Sequence, residues 1–208
     1  MNFSGLLLSA YDARSHALWR YRVAEMTPEV SWLELTLPPR NFNWRIRSNS
    51  LHWAFNNRDE LTDNYNFLLA TSMVDLSSLR GFVPQLGCIP NIIYFHENQL
   101  SYPWSPKDRD IKKNRDSHYG FINYASSLVA DKVLFNSKYQ MDSYFEALKK
   151  LLNNFPDHKE ISTVKDIKNK SMVLNLGLDL KKYDKYFTKN LKEPIMLWNH
   201  RWEYDKDP

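Results

Sequence analysis

Short apolar runs alternate with longer segments of helical spacing along most of the chain. Runs typical of β-strands occupy residues 5–10, 30–37, 66–71, 91–95, 131–135 and 171–176. Segments typical of helices occupy residues 15–24, 44–55, 74–82, 119–130 and 138–153, and Ser137 stands where the last of them needs an N-cap. This alternation predicts an α/β fold with a Rossmann-like, doubly wound parallel sheet.

The remaining segments are polar and predict connections. Residues 101–116 form the most charged stretch and are expected to be an exposed, mobile loop. Residues 156–170 predict a polar connection, and the Lys-rich residues 181–192 predict a linker. The apolar run from Ile195 is expected to begin a second domain, so we predict one domain over residues 1–190, with a linker and the first strand of another over residues 191–208.

In doubly wound sheets, ligands bind beyond the carboxyl ends of the strands. That rule selects three loops, at residues 11–16, 96–102 and 136–137. The chain has neither a Gly-x-Gly-x-x-Gly fingerprint nor a Gly-Lys-Ser/Thr loop, and it contains only five glycines. A glycine-built nucleotide cradle within the first 190 residues is therefore not expected.

The composition is that of an ordinary globular domain, with 43% hydrophobic and 25% charged residues. The net charge of +4 permits a polyanionic partner without requiring one. The lone Cys88 excludes an internal disulfide and is interpreted as a small buried apolar residue. The sequence shows neither a signal-peptide pattern nor an apolar run of about 18 residues, so a cytoplasmic protein without a membrane span is expected.

Four polar side chains directly follow the strand predicted at 91–95, in the string His96-Glu97-Asn98-Gln99. Polar groups in this position suit a site in which His96 and Glu97 bind a polyol or stabilise developing charge. The alternative is a solvated turn in which Glu97 or Asn98 caps a helix. No His or Cys partner stands at zinc spacing from His96, so no metal site is predicted.

Two further groups of residues suit ligand binding. In the loop after the first strand, Ser15 is expected to cap the following helix while His16 faces the cleft and Arg14 assists in binding an anion, although an ordinary capped turn explains the pattern equally well. The second group is Trp44, Arg45 and Arg47, followed by His52 and Trp53. Aromatic residues among arginines suit RNA, but also an amphipathic helix with its Trp in the core and its Arg in water.

The order of these motifs resembles one family. His96-Glu97-Asn98-Gln99, Ser15-His16, Trp44-Arg45-x-Arg47, the pair of strings Leu128-Val129-Ala130-Asp131 and Phe135-Asn136-Ser137, and the terminal His200-Arg201-Trp202-Glu203 with Asp205-Lys206-Asp207-Pro208 are similar to those of the tRNA-queuosine α-mannosyltransferases, which are retaining GT-B glycosyltransferases. The resemblance covers residues 6–208 in order.

The resemblance implies two Rossmann-like domains, with the acceptor on the N-terminal one and the sugar nucleotide on the C-terminal one. It implies that Arg201 and Lys206 bind the donor diphosphate and that His96 lies against the donor sugar. We add the hypothesis that Glu97 acts beside His96 in catalysis and that the sugar or acceptor contacts are Ser15, His16, Asn98, Gln99, Trp44, Arg45 and Arg47. GDP-mannose or another sugar nucleotide is the implied co-substrate, with no metal or other cofactor and with tRNA as a possible partner.

The expected reaction is transfer of mannose, with retention, to queuosine in tRNA. Because the donor-binding domain that the family has after residue 208 is absent from the chain, this fragment is not expected to turn over by itself. A glycosyltransferase acting on a saccharide or lipid, and a non-catalytic tRNA-binding module, remain as alternatives. The absent glycine fingerprint argues against half of a nicotinamide-dependent oxidoreductase.

Overall fold

A six-stranded sheet in which all neighbouring strands run parallel forms the centre of the protein. The computed structural model describes residues 3–103 and 117–187, with 193, 196, 197 and 199 beyond them. The strands are β1 (Phe3–Ser9), β2 (Val30–Thr36), β3 (Phe67–Thr71), β4 (Asn91–Phe95), β5 (Lys132–Phe135) and β6 (Ser171–Val173). Their order across the sheet is β2-β1-β3-β4-β5-β6, which places the topological switch point between β1 and β3.

Helices connect successive strands of this sheet. They are α1 (Arg14–Met26), α2 (Phe42–Asn56), α3 (Arg58–Leu61), α4 (Leu76–Phe82), α5 (Ser117–Val129), α6 (Lys138–Asn153), α7 (Thr163–Asn169) and α8 (Lys181–Asp184), with a 3-10 turn at Pro84–Cys88. Within the described ranges, no helix is both long and apolar enough to cross a membrane.

Alternation along the strands divides the core into a large layer and a small one. Leu6 and Leu8 of β1 face the large layer, whose other members include residues of α2, α4, α5, α6 and α7. Leu7 faces the opposite side, where it packs with Leu69 and Tyr94. Trp19 and Val23 of α1 pack against that small cluster. The face covered by α1 therefore carries much less apolar burial than the other face.

The described strands and helices confirm the predicted doubly wound α/β fold, and most bounds agree within two residues. Ser137 caps α6 as predicted, because its side chain accepts a hydrogen bond from the Gln140 amide. The predicted strand at 171–176 ends earlier, at Val173, and α8 lies within the predicted linker. Most of the loop predicted at residues 101–116 and the domain boundary predicted near residue 190 lie outside the described residues.

Two sequence predictions are wrong. Residues 156–170 are not only a polar connection, since they contain α7, whose Val164 and Ile167 are buried in the large core layer. The two residues are three positions apart, and one apolar pair in a charged segment gives little periodic signal. Cys88 is exposed rather than buried, because it ends the 3-10 turn instead of entering a core element.

The burial of α7 predicts a measurable contribution to stability. Ile167→Ala is expected to lower the free energy of unfolding by about 2–5 kcal/mol, because it leaves a cavity against α5 and α6. Lys165→Ala on the exposed side of the same helix is the matched control and should change it by less than about 0.5 kcal/mol. Urea unfolding of the two variants tests this, and equal midpoints would contradict the packing.

Candidate functional site

Four aromatic side chains meet where β1, β3 and β4 end, on the sheet face covered by α1. His96 follows β4, and His16 lies in the first turn of α1; their rings stack with centroids 4.4 Å apart. Trp19, nearly one turn further along α1, stacks on Tyr94 at 4.7 Å and meets His96 edge-on at 4.7 Å. The structure thus brings together two histidines that the sequence placed in separate loops.

Buried polar atoms without a protein partner surround this ring cluster. Within the described part of the chain, His16 Nδ1, His96 Nε2, Ser9 Oγ and Thr71 Oγ1 are buried and make no hydrogen bond. Strand alternation places Ser9 and Thr71 on the α1 face with Leu7 and Leu69, as the last residues of β1 and β3. We name Ser9, His16, Thr71 and His96 the polar pocket.

An unsatisfied buried polar group costs about 1–3 kcal/mol, so native proteins rarely leave several together. Four such groups at the carboxyl ends of adjacent parallel strands, at a topological switch point, occupy the place where α/β sheets bind ligands. Their donors and acceptors are hydroxyls and imidazoles. The polar pocket is therefore suited to bind a hydroxyl-bearing ligand.

The pocket is uncharged near neutral pH. Burial lowers the pKa of His96 to about 3, and the neighbouring His16 acts in the same direction. Burial also lowers the pKa of His16, although the charge of Asp12 and the backbone of Tyr11 oppose that change. Burial raises the pKa of Tyr94 to about 12, and its hydroxyl donates to the Leu174 carbonyl at 2.9 Å. These groups can act through neutral hydrogen bonds.

A buried ion cluster fixes the loop that leads into α1 and His16. The Arg20 guanidinium binds Asp12 with Nη2 and Oδ2 3.0 Å apart, and its Nη1 binds Glu34 of β2. The Asp12 amide also donates to the Leu37 carbonyl at 2.9 Å. A largely buried Arg paired with two carboxylates is costly to break, because removing one partner leaves the others uncompensated. The loop is thereby tied to both α1 and β2.

Buried amide and hydroxyl side chains fix the loops after β3 and β4. Asn123 of α5 accepts from the Gln99 amide at 2.8 Å and donates to the Ser72 carbonyl at 2.8 Å. The Ser72 hydroxyl donates to the Glu97 carbonyl at 2.9 Å. Asn136 Nδ2 donates to the His96 carbonyl at 2.7 Å. The backbone of the loop that carries His96 is therefore fixed by hydrogen bonds from the side chains of Ser72, Asn123 and Asn136.

The other members of the 96–99 string differ from one another in their surroundings. Asn98 is buried, and its side chain donates to Gln140 Oε1 at 2.7 Å and accepts from the Ser101 amide at 2.9 Å. Gln99 is also buried, and Glu97 is half-buried beside His96. The Asn98 amide is thus committed to other protein groups, which gives it a clear role in holding the loop.

Ser15 does not cap α1, contrary to the sequence prediction. The extended residue Ala13 is the N-cap and makes no side-chain hydrogen bond, and the Ala17 amide donates to its carbonyl. Because the helix begins at Arg14, Ser15 lies within its first turn and is exposed. Arg14 is exposed as well, so both side chains remain accessible at the start of α1.

The Trp-Arg segment forms the first turns of α2. Trp44 is 66% exposed, whereas Ile46 and Trp53 are buried in the large core layer. An amphipathic helix with its Trp in the core thus describes Trp53 but is wrong for Trp44. Arg47 lies over the Tyr119 ring at 4.6 Å and donates to the Asn43 carbonyl at 2.7 Å.

Arg201 and Lys206, the expected diphosphate ligands, lie outside the described residues. In the ranges that the structure describes, no three His, Cys, Asp or Glu side chains are arranged to hold a metal ion. The sequence analysis does not single out Ser9, Thr71 or Trp19. For Ser9 and Thr71 there was a signal, because each is a polar residue that ends an otherwise apolar strand.

Comparison with known proteins gives two consistent matches. Residues 4–178 match the family described as tRNA-queuosine alpha-mannosyltransferase N-terminal. The chain is also 36% identical over 183 residues to the tRNA-queuosine alpha-mannosyltransferase of Drosophila melanogaster, in an alignment that covers 83% of this chain and 46% of that protein. The chain thus spans about half the length of this curated relative.

The lowered pKa of His96 predicts a pH-dependent stability. Its folded pKa of about 3 lies below the ordinary value of 6.5, so between these values the unfolded chain binds a proton that the folded chain does not. Stability is therefore lost as pH falls through this window, at up to about 1.4 kcal/mol per pH unit for one group. His96→Gln should reduce the loss between about pH 6.5 and pH 4.5.

Urea unfolding of His96→Gln and of the unsubstituted chain at several pH values in this window measures the difference. Carboxylates that titrate in the same window contribute equally to both proteins and cancel in the comparison. His52→Gln, which changes an exposed histidine of α2, is the control and should keep the full pH dependence. An unchanged slope in His96→Gln would contradict a buried neutral imidazole.

Proposed function

The chain belongs to the tRNA-queuosine alpha-mannosyltransferase N-terminal family, and from this premise we propose that it is the acceptor-side part of a retaining glycosyltransferase that transfers mannose from GDP-mannose to queuosine in tRNA. The observation that supports this proposal is the polar pocket at the switch point of the sheet, where four residues each have one buried polar atom without a hydrogen-bond partner among the described residues. Sugars and the cyclopentenediol of queuosine both present the hydroxyls that such groups bind.

In the proposed reaction, the bond between the sugar C1 and the diphosphate oxygen breaks, and its electron pair leaves with the diphosphate. A queuosine hydroxyl oxygen forms the new bond to C1 on the same face and loses its proton, which the departing phosphate can accept. Charge develops in two places, positive on the sugar ring and negative on the diphosphate. Neutral or negative groups must therefore stabilise the sugar ring, and cationic groups must stabilise the diphosphate.

His96 is proposed to orient the transferred sugar. Because burial lowers its pKa to about 3, the ring is neutral near pH 7 and can place Nε2 against a hydroxyl without adding positive charge beside the developing cation. Stacking against His16 and edge contact with Trp19 restrict the ring plane. Glu97, on the same loop, is the proposed carboxylate neighbour of the positive sugar ring.

The diphosphate requires cationic partners, and the polar pocket supplies none. We assign that role to Arg201 and Lys206 on the strength of the family resemblance at the end of the chain. Arg offers a planar fork of donors and Lys a point charge, which together suit a leaving diphosphate. Ser15 and His16 are proposed to line the sugar or acceptor side, with Asn98 and Gln99 acting mainly to hold the loop.

The test uses the complete gene product that carries this chain. It is incubated with GDP-mannose and queuosine-containing tRNA, and the digested nucleosides are analysed by mass spectrometry for a hexose on queuosine. His96→Ala is expected to reduce the initial rate at least about 100-fold, in the range for loss of a preorganised hydrogen-bonding group. His158→Asn, which changes an exposed histidine outside the proposed site, is the matched control and should leave the rate unchanged.

Three outcomes separate the alternatives. Absence of any hexose adduct, with hydrolysis of the sugar nucleotide still detectable, would retain a glycosyltransferase and reject queuosine as its acceptor. Hexose transfer that survives in both His96→Ala and Arg201→Ala would reject the proposed site. A hexose found only with another nucleotide sugar would reject GDP-mannose as the donor.

A further inference from the structure

Helix α2 exposes apolar side chains on the side opposite to its buried face. Ile46, Asn49 and Trp53 face the protein interior. On the other side, Trp44 is 66% exposed, Leu51 44% and Phe55 77%. These three lie at positions i, i+7 and i+11, so they form one line about 16 Å long on the helix surface. We name this line the α2 ridge.

Positive charge accompanies the first half of the α2 ridge. Residues 36–58 contain Arg40, Arg45, Arg47 and Arg58 but no Asp or Glu. Arg47 is engaged with Tyr119 and the Asn43 carbonyl. Arg40 is exposed and Arg45 is half-buried, and neither forms an ion pair with another described residue. Arg45 Nε is also buried without a hydrogen-bond partner in the described chain.

The second half of the ridge has a different electrostatic environment. Asp59, Glu60 and Asp63 follow within seven positions of the end of α2 and outnumber the one cation there, Arg58, which donates to the Phe82 carbonyl at 2.7 Å. Phe55 lies near them and contacts Phe82 of α4, with ring centroids 6.3 Å apart. A polyanion is therefore favoured beside Trp44 and disfavoured beside Phe55. The two exposed aromatic residues differ in charge surroundings but share one helix face.

The basic half of the ridge adjoins the candidate site. Phe42, the first residue of α2, meets Tyr11 edge-on with centroids 5.4 Å apart. Tyr11 begins the loop that contains Asp12 and leads into α1, where His16 lies. Phe42 also contacts Tyr119 at 5.6 Å, and Tyr119 lies under the guanidinium of Arg47. A large ligand bound at the polar pocket can therefore extend over the start of α2.

We propose that Arg40, Trp44 and Arg45 form an RNA-contact surface for the acceptor, in which Trp44 stacks on an unpaired base and the two arginines bind flanking phosphates. The inference rests on the proposed function, because it takes the acceptor to be RNA. Exposed aromatic residues beside unpaired arginines suit single-stranded loops, whose bases are free to stack. The absence of carboxylates from residues 36–58 favours a polyanion over a protein partner.

The stacking arm of the test uses the 208-residue chain and a fluorescently labelled RNA hairpin with a single-stranded anticodon-type loop. Trp44→Ala is expected to weaken binding about 10-fold or more, and Trp44→Phe should recover most of that loss because the ring remains. Phe55→Ala is the matched control, as it removes an equally exposed ring from the same face. It should change affinity less than about 2-fold.

The phosphate arm measures the salt dependence of the same binding. For each phosphate contact removed, the slope of log Kobs against log salt should become shallower by about 0.7–0.9. Arg40→Gln and Arg45→Gln are each expected to show that change. Lys149→Gln, which neutralises an exposed lysine of α6, is the charge control and should leave the slope unchanged. Thermal unfolding of every variant confirms that the fold is retained.

Several results would overturn the inference. These are absence of RNA binding by the chain, equal losses in Trp44→Ala and Phe55→Ala, or salt slopes unchanged by both arginine substitutions. Loss of self-association in Trp44→Ala without an effect on RNA would instead assign the ridge to a protein contact. Hexose transfer by the complete gene product with an unchanged KM for tRNA in Trp44→Ala would reject this surface alone. RNA binding at the surface without any hexose transfer would reject only the proposed function.

Discussion

Parallel strand direction is the constraint on which the rest of this structure depends. Because all six strands run the same way, every strand-to-helix loop leaves at one edge of the sheet, where backbone groups lose their ladder partners. Asn123, Ser72 and the Arg20 ion cluster supply replacement partners and fix the loops. His96 lies on one of these loops and His16 follows another, in the first turn of α1, so their stacked geometry depends on those buried hydrogen bonds and ion pairs.

The uncharged pocket has a consequence for how chemistry divides along the chain. A protonated imidazole beside a sugar that develops positive charge would raise the barrier, whereas a neutral one can still bind a hydroxyl. Because burial keeps His96 neutral, in the proposed reaction its imidazole can position a sugar but cannot neutralise a diphosphate. The negative charge must be met by groups outside the polar pocket. In the proposed reaction, Arg201 and Lys206 take that role.

The sequence predicts the sheet well because each strand is an apolar run bounded by polar residues, and the strings after β1 and β4 direct attention to His16 and His96. It does not predict their contact, since 80 positions separate them and only the strand order brings the loops together. Ser9 and Thr71 belong to none of the motifs recognised in the sequence, so it does not predict their part in the pocket. The sequence does not predict helix α7, because its buried face consists only of Val164 and Ile167. The prediction that Ser15 caps α1 is wrong because the helix begins at Arg14, with Ala13 as its N-cap.

Helix α2 shows where local consistency breaks down. A surface helix normally has one apolar side, yet Trp44 and Phe55 are exposed opposite Ile46 and Trp53. Natural sequences violate such patterns mainly where function requires it, because solvent-exposed rings increase the risk of aggregation without stabilising the fold. Charge then separates the candidate partners. Arg40 and Arg45 lie near Trp44 in a stretch without carboxylates, so a polyanion explains that end of the helix. Near Phe55, Arg58 is followed by Asp59 and Glu60 and donates to the carbonyl of Phe82, the aromatic neighbour of Phe55.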